Sequence, residues 1–267
     1  MAKAIKHIRA GLLNIEILGP VPEKKPTKGR AGRSRPTSAA QQFYNYKCSW
    51  RELELLLAKN LRQGMVVTLT YDDEHLPASK AAARTLIKKF IRKLRESRRR
   101  RREFLLYFYN VEGLHGAEKN DFFGNDTELE DHRIHHHFVV NGKDLEELRS
   151  LWEFGYVRME PLNVHYYQEL AKYLTKEASE GKAKPGERTW CCSRNVKRID
   201  LETDVEYYDI PTDGVTLTAP EGAIDYRQFH EKNPYGFADC IGARYLLYPK
   251  ETPPPLSYAA GRKSNKA

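Results

Sequence analysis

Cysteine is scarce. Only Cys48, Cys191, Cys192 and Cys240 occur in 267 residues, and no two form a C-x-x-C pair. A zinc ribbon is not expected, and reduced thiols are the default. No apolar run is long enough to span a bilayer. The first residues, MAKAIKHIRAGLLNIEILG, hold too short an apolar stretch and too many charges for a signal peptide. A cytoplasmic protein with no membrane partner is expected. No G-x-x-x-x-G-K-S/T loop is present, so nothing announces an NTPase. No internal repeat is visible either.

Charge is what the chain has in excess. Lys and Arg number 45 against 36 Asp and Glu, a formal net charge of +9. That balance points to a polyanion partner, nucleic acid before a membrane surface. With 40% hydrophobic and 30% charged residues, most of the chain should fold, around one sizeable core or at most two small ones.

Residues 1–42, with the Pro-, Gly- and Ser-rich stretch VPEKKPTKGRAGRSRPTSAA, read as a flexible basic arm, and residues 249–267 as a flexible tail. Residues 43–248 are expected to form one domain. Within it MVVTLTY (65–71) is β-branched and apolar, a strand. Ser79 can cap a helix whose apolar positions are Leu86, Ile87, Phe90, Ile91 and Leu94. That helix runs into Arg98, Arg99, Arg100, Arg101 and Arg102, which can meet backbone phosphates or form a solvated helix end. FLLYFYNVE (104–112) and RIHHHFVV (133–140) are further strands. Asp144 caps a short helix, GYVRME (155–160) is a fourth strand, and Asn163 opens a helix to about Glu177. The order β-α-β-β-α-β matches a ferredoxin-like or RNA-recognition-motif-like α+β fold, an antiparallel sheet with helices on one face and an open face for a ligand.

RIHHHFVV puts three imidazoles inside an otherwise apolar strand. Strand residues two apart share a face, so His135 and His137 point one way. His136 points the other way with Ile134, Phe138 and Val140, toward the helices. Two imidazoles side by side are what a divalent metal needs, or else polar residues on a solvated face. Glu112 ends the neighbouring strand and can add the oxygen donor that suits Mg²⁺ or Mn²⁺. In NVHYYQELAKYLTKE, Val164, Tyr167, Leu170, Ala171 and Leu174 form one apolar arc. Tyr173 falls off that arc and can face the metal side, with Lys176 near it. A phenol, a metal held by two imidazoles and a carboxylate, and a lysine are the parts for phosphodiester transesterification.

These residues carry a resemblance. TLTYDDEHLP (68–77), VEG (111–113), RIHHH (133–137) and AKYLTK (171–176) resemble, in order, four motifs of rolling-circle replication initiators of the HUH endonuclease superfamily. The closest look is to the replication-associated proteins of small phages and plasmids, and the likeness covers roughly residues 64–200. It implies an HUH endonuclease fold. By it Tyr173 is the nucleophile, Lys176 assists, and Glu112, His135 and His137 hold Mg²⁺ or Mn²⁺. It further implies nicking of single-stranded origin DNA in a bacterial host cell, through a 5′-phosphotyrosine link. Some relatives carry two active tyrosines four residues apart. Here Glu169 stands at that position, which suggests single-tyrosine chemistry unless Tyr166 takes part. Many relatives of eukaryotic viruses carry a helicase domain. None is visible here, so a host helicase and polymerase are expected partners.

Three other readings stay open. A relaxase or single-strand transposase would use the same site. An RNA-recognition-like module would bind single strands without chemistry, by aromatic stacking. A metal-dependent hydrolase would use water and leave no adduct. Residues 200–248 are expected to add strands or loops to the same domain, and SRNVKR (193–198) has no assigned role.

Overall fold

Apolar residues at Ile5, Ile8 and Ala10, then Leu13, Ile15 and Ile17, give the N-terminal stretch the composition of paired strands. A computed structural model, describing residues 3–20, 39–113, 133–176, 188–210, 216–231 and 240–249, shows a hairpin here. Strands β1 (Lys3–Ala10) and β2 (Leu13–Pro20) close on the pair Ala10↔Leu13. The turn is Gly11–Leu12, and Gly11 takes the positive φ of 63° that a two-residue hairpin turn demands. The expected arm over 1–42 is thus corrected at residues 3–20. Interspersed Lys3, Lys6 and Arg9 lend the segment a basic composition without preventing burial of Ile8, Ala10 and Leu13. Residues 21–38 lie outside the described residues, as does the expected tail except for its first position.

Helix α1 (Ala39–Asn60) follows. Next come β3 (Met65–Thr70), α2 (Lys80–Arg100), β4 (Tyr107–Glu112), β5 (His135–Val140), α3 (Leu145–Leu151) and β6 (Val157–Pro161). Asn163 caps a 3-10 turn, Val164–Tyr166, that leads into α4 (Tyr167–Leu174), and β7 (Cys191–Cys192) ends this part. The sheet order is β6-β3-β5-β4-β7, with every neighbouring pair antiparallel. Counting only the strands of the β-α-β-β-α-β unit, that order is 4-1-3-2, as a ferredoxin-like fold requires. The expected α+β fold is therefore present.

The helices begin where their caps stand. Ser79 Oγ accepts from the Ala82 amide at 3.2 Å, and Asp144 Oδ1 accepts from the Glu147 amide at 2.9 Å. Both α2 and α3 lie on one sheet face. Ile87, Phe90 and Leu94 pack there on Val67, Leu69, Tyr107 and Phe138, with Trp152 closing the layer. Fully burying each such side chain stabilises the fold by about 1.5–3 kcal/mol. The other face is covered in part by α4. Asn110 Nδ2 on β4 donates to the Leu174 carbonyl at 2.9 Å. Tyr167 donates its hydroxyl hydrogen to the Leu61 carbonyl, and α1 packs along α4. The SRNVKR stretch closes the β4 edge: the Ser193 amide donates to Tyr107 O and Asn195 Nδ2 to Leu105 O.

Strands β8 (Val205–Ile210), β9 (Ile224–Glu231) and β10 (Cys240–Leu246) join the hairpin in a second antiparallel sheet, β8-β1-β2-β10-β9. The chain divides into two compact units, Thr37–Lys197 and Met1–Pro36 with Arg198–Ala267. This differs from the expected single domain over 43–248. Residues 200–248 pair with the N-terminal hairpin and not with the sheet that carries the histidines. Among the described residues, no helix is long and apolar enough to cross a membrane.

Candidate active site

The pairing of β4 with β5 builds the site. Glu112 lies opposite His135, and Asn110 opposite His137, so Glu112, His135 and His137 share one sheet face. Nε2 of His137 stands 3.0 Å from Glu112 Oε2 and 3.1 Å from Nε2 of His135. His135 Nε2 is 3.8 Å from the same carboxylate oxygen. Three donors so spaced share a centre about 2 Å from each, the usual length of a metal–ligand bond. His135 Nδ1 donates to the Arg133 carbonyl at 2.8 Å, which leaves the Nε2 lone pair directed into the cluster. Thr68 Oγ1 stands 3.4 Å from Nδ1 of His137. Among the described residues this is the one group of three His, Cys, Asp or Glu side chains close enough to hold an ion. Two imidazoles and a carboxylate fit a divalent cation and leave coordination positions for substrate oxygens.

Electrostatics keep Glu112 ionised. Burial opposes its charge, but hydrogen bonds from His137 and Lys176 and the nearby positive charges outweigh that and lower its pKa to about 2. Burial lowers the His135 pKa, favouring the neutral form that ligates metal.

Tyr173 and Lys176 reach this face from the C-terminal end of α4. The Tyr173 ring lies 4.5 Å from the His137 ring, centroid to centroid, and is half exposed. Lys176 Nζ stands 2.5 Å from Glu112 Oε1 and 4.7 Å from the centre of the Tyr173 ring. Burial raises the Tyr173 pKa, and the Lys176 ammonium opposes that rise. A groove of about 770 Å³ opens beside them, lined by Thr70, His137, Arg158, Glu160, Tyr166 and Tyr173.

The expected DNA-contacting arginines do not act as one group. Arg98 is 4% exposed and its Nε lies 2.6 Å from Glu147 Oε2, so it is corrected to a buried structural residue. Arg101 bonds the other Glu147 oxygen at 2.6 Å and also pairs with Glu103. Arg99 and Arg100 are exposed and pair with Glu96. Arg102 is exposed in a left-handed conformation, φ 59°. Tyr107 and Tyr109 belong to the core under α2. His136 is buried against Tyr71, whose hydroxyl lies 2.5 Å from its Nε2, and burial lowers its pKa to about 3. His115 and His132 lie outside the described residues.

Asn110, Thr68 and Arg158 were not singled out from the sequence. Asn110 carries a usable signal: it is a polar residue two before Glu112, hence on the same face of an otherwise apolar strand.

The class is now defined: a ferredoxin-like antiparallel sheet carrying a Glu-His-His cluster, with a tyrosine and a lysine over it. Residues 64–179 match a family model of replication-associated proteins, the ORF2 family, which is consistent with a rolling-circle replication initiator. The matched segment holds all four motifs and ends short of residues 180–200. Neither curated proteins nor solved structures give a match.

Proposed function

We propose that this protein initiates rolling-circle replication by nicking single-stranded origin DNA at Tyr173. The reading is supported above all by the convergence of Glu112, His135, His137, Tyr173 and Lys176 on one sheet face within the matched segment. A Mg²⁺ or Mn²⁺ ion held by Glu112, His135 and His137 would stabilise negative charge developing on the scissile phosphate. Tyr173 Oη attacks phosphorus, the P–O3′ bond breaks, and the departing 3′ oxygen gains the proton the phenol gives up. The 5′ phosphate is left esterified to the tyrosine. The bond energy is kept, so a 3′-hydroxyl can reverse the step and rejoin the strand. Lys176 offsets the cost of the phenolate. The groove beside Tyr173 receives the strand. Host helicase and polymerase extend the nicked end, in the cytoplasm of a bacterial cell.

A relaxase or transposase would share this chemistry and differ in its DNA. The recognition-module reading loses its stacking surface, since Tyr107 and Tyr109 face the core.

The test uses labelled single-stranded oligonucleotides from the protein's own replicon with Mn²⁺, resolved on a denaturing gel. A labelled protein band lost in Tyr173→Phe and without metal supports the reading. Cleavage without an adduct makes water the nucleophile, and an adduct surviving Tyr173→Phe moves the role to Tyr166.

A further inference from the structure

Helix α2 buries Ala83, Ile87, Phe90, Ile91, Leu94 and Arg98 against the sheet. At about 100° per residue the opposite side is occupied by Lys88, Arg92, Arg95 and Arg99, with Lys89 and Arg100 flanking them. The row is spaced four, three and four residues, so its members stand one above the next along roughly 16 Å of helix. Glu96 is the sole carboxylate on α2, and Arg99 and Arg100 already engage it. Among the described residues Lys88, Lys89 and Arg92 are exposed and make no ion pair. A groove of about 800 Å³ runs beside the row, lined by Arg92, Arg95, Arg99 and Leu151.

Like charges one turn apart weaken a helix, and an ordinary surface intersperses both signs. This row keeps its repulsion along the helix. Its C-terminal end is held rigid by the Arg98–Glu147 pair. It also lies on the face opposite Glu112, His135 and His137: α2 packs on the Phe138 side of β5, whereas the cluster is on the His137 side. A strand lying against Tyr173 therefore cannot be the one that meets it.

We infer that the outward row of α2 is a second DNA-binding surface, which holds duplex DNA flanking the nicked strand. The identity of the polyanion rests on the nicking reading. Duplex is favoured because the row is straight, rigid and purely cationic, suited to a phosphate backbone. Its outward positions hold no aromatic side chain, and single-strand surfaces rely on stacking.

The test is fluorescence anisotropy of a labelled 20-base-pair duplex of arbitrary sequence over a salt series, with the full chain. The triple variant Lys88→Ala, Lys89→Ala, Arg92→Ala is compared with wild type. Duplex affinity is expected to fall at least tenfold, with the log–log salt slope reduced by about 3. Metal-dependent cleavage of a short single strand and the melting temperature should stay unchanged. Unchanged duplex affinity overturns the inference. So does an equal loss on the short single strand, or a loss confined to binding of anionic phosphatidylserine vesicles. Should wild type cleave nothing, the nicking reading fails alone, because duplex binding is measured without cleavage.

Discussion

Lys176 and Glu112 are joined across 2.5 Å, from the end of α4 to the end of β4. The ammonium occupies one oxygen of the carboxylate whose other oxygen meets both histidines. It is therefore a competitor of a metal ion and a neighbour of the nucleophile at once. Lys176→Met should tighten Mn²⁺ binding, by roughly threefold to tenfold, since one nearby positive charge is removed. Adduct formation by the same variant should slow at least about tenfold, because the phenolate loses its cation. Calorimetric titration of Mn²⁺ beside a single-turnover gel assay reads both. Changes of the same sign would contradict the double role.

Metal binding should be visible without any DNA. A ligand that binds only the folded state stabilises it by about 2.7 kcal/mol at one hundred times its dissociation constant. For a unit the size of Thr37–Lys197 that corresponds to roughly 5–10 °C in the melting transition. The His135→Ala and His137→Ala variants should each lose most of this shift, and Tyr173→Phe should keep it. Differential scanning fluorimetry with Mn²⁺ and with EDTA decides the point. A full shift in either histidine variant would place the ion elsewhere.

The cluster and its strands were legible because local periodicity carries the needed information. A period of two separates His135 and His137 from His136, and pairing with β4 brings Glu112 alongside. The caps at Ser79 and Asp144 are equally local. What the sequence hid depends on distant partners. Arg98 reads as one of five surface arginines, and only Glu147, 49 residues on, makes it a buried residue. The β1–β2 hairpin lies between β8 and β10, strands that begin about two hundred residues later, so its basic composition suggested an arm. Periodicity likewise shows that α4 has an apolar arc, but not which sheet face it covers. The hydrogen bond from Asn110 to Leu174 O settles that.

Arg98 and Glu147 form a buried pair with side chains 5% and 3% exposed. Removing one partner leaves an uncompensated charge in the interior, so Arg98→Ala should cost about 3–5 kcal/mol in urea unfolding. Arg99→Ala and Arg100→Ala break only exposed pairs with Glu96 and should stay within about 0.5 kcal/mol of wild type. Gly142 gives an independent check. Its φ is +86°, and a Cβ there would stand 2.6 Å from Arg98 Nη1. Gly142→Ala should destabilise by about 1–3 kcal/mol through the same pair. Equal, small effects at all four positions would mean that the run is a solvated helix end after all.

Acid should reveal Glu112 in the metal-free protein. Its pKa falls from an ordinary 4.5 to about 2 on folding, burial being outweighed by His137 and Lys176. Below 4.5 the unfolded chain takes up a proton that the folded chain still refuses, so stability drops as pH falls. The contribution is fully present above about pH 4.5 and gone below about pH 2. At 1.36 kcal/mol per unit it amounts to roughly 3 kcal/mol. Glu112→Gln removes this titration and leaves the other carboxylates in place. The difference in unfolding free energy between wild type and variant, measured in EDTA from pH 6 to pH 2, should therefore shrink toward the acid end. A difference that stays constant across that range would mean that Glu112 is not held ionised by its neighbours, and that the cluster is not set up to receive a cation.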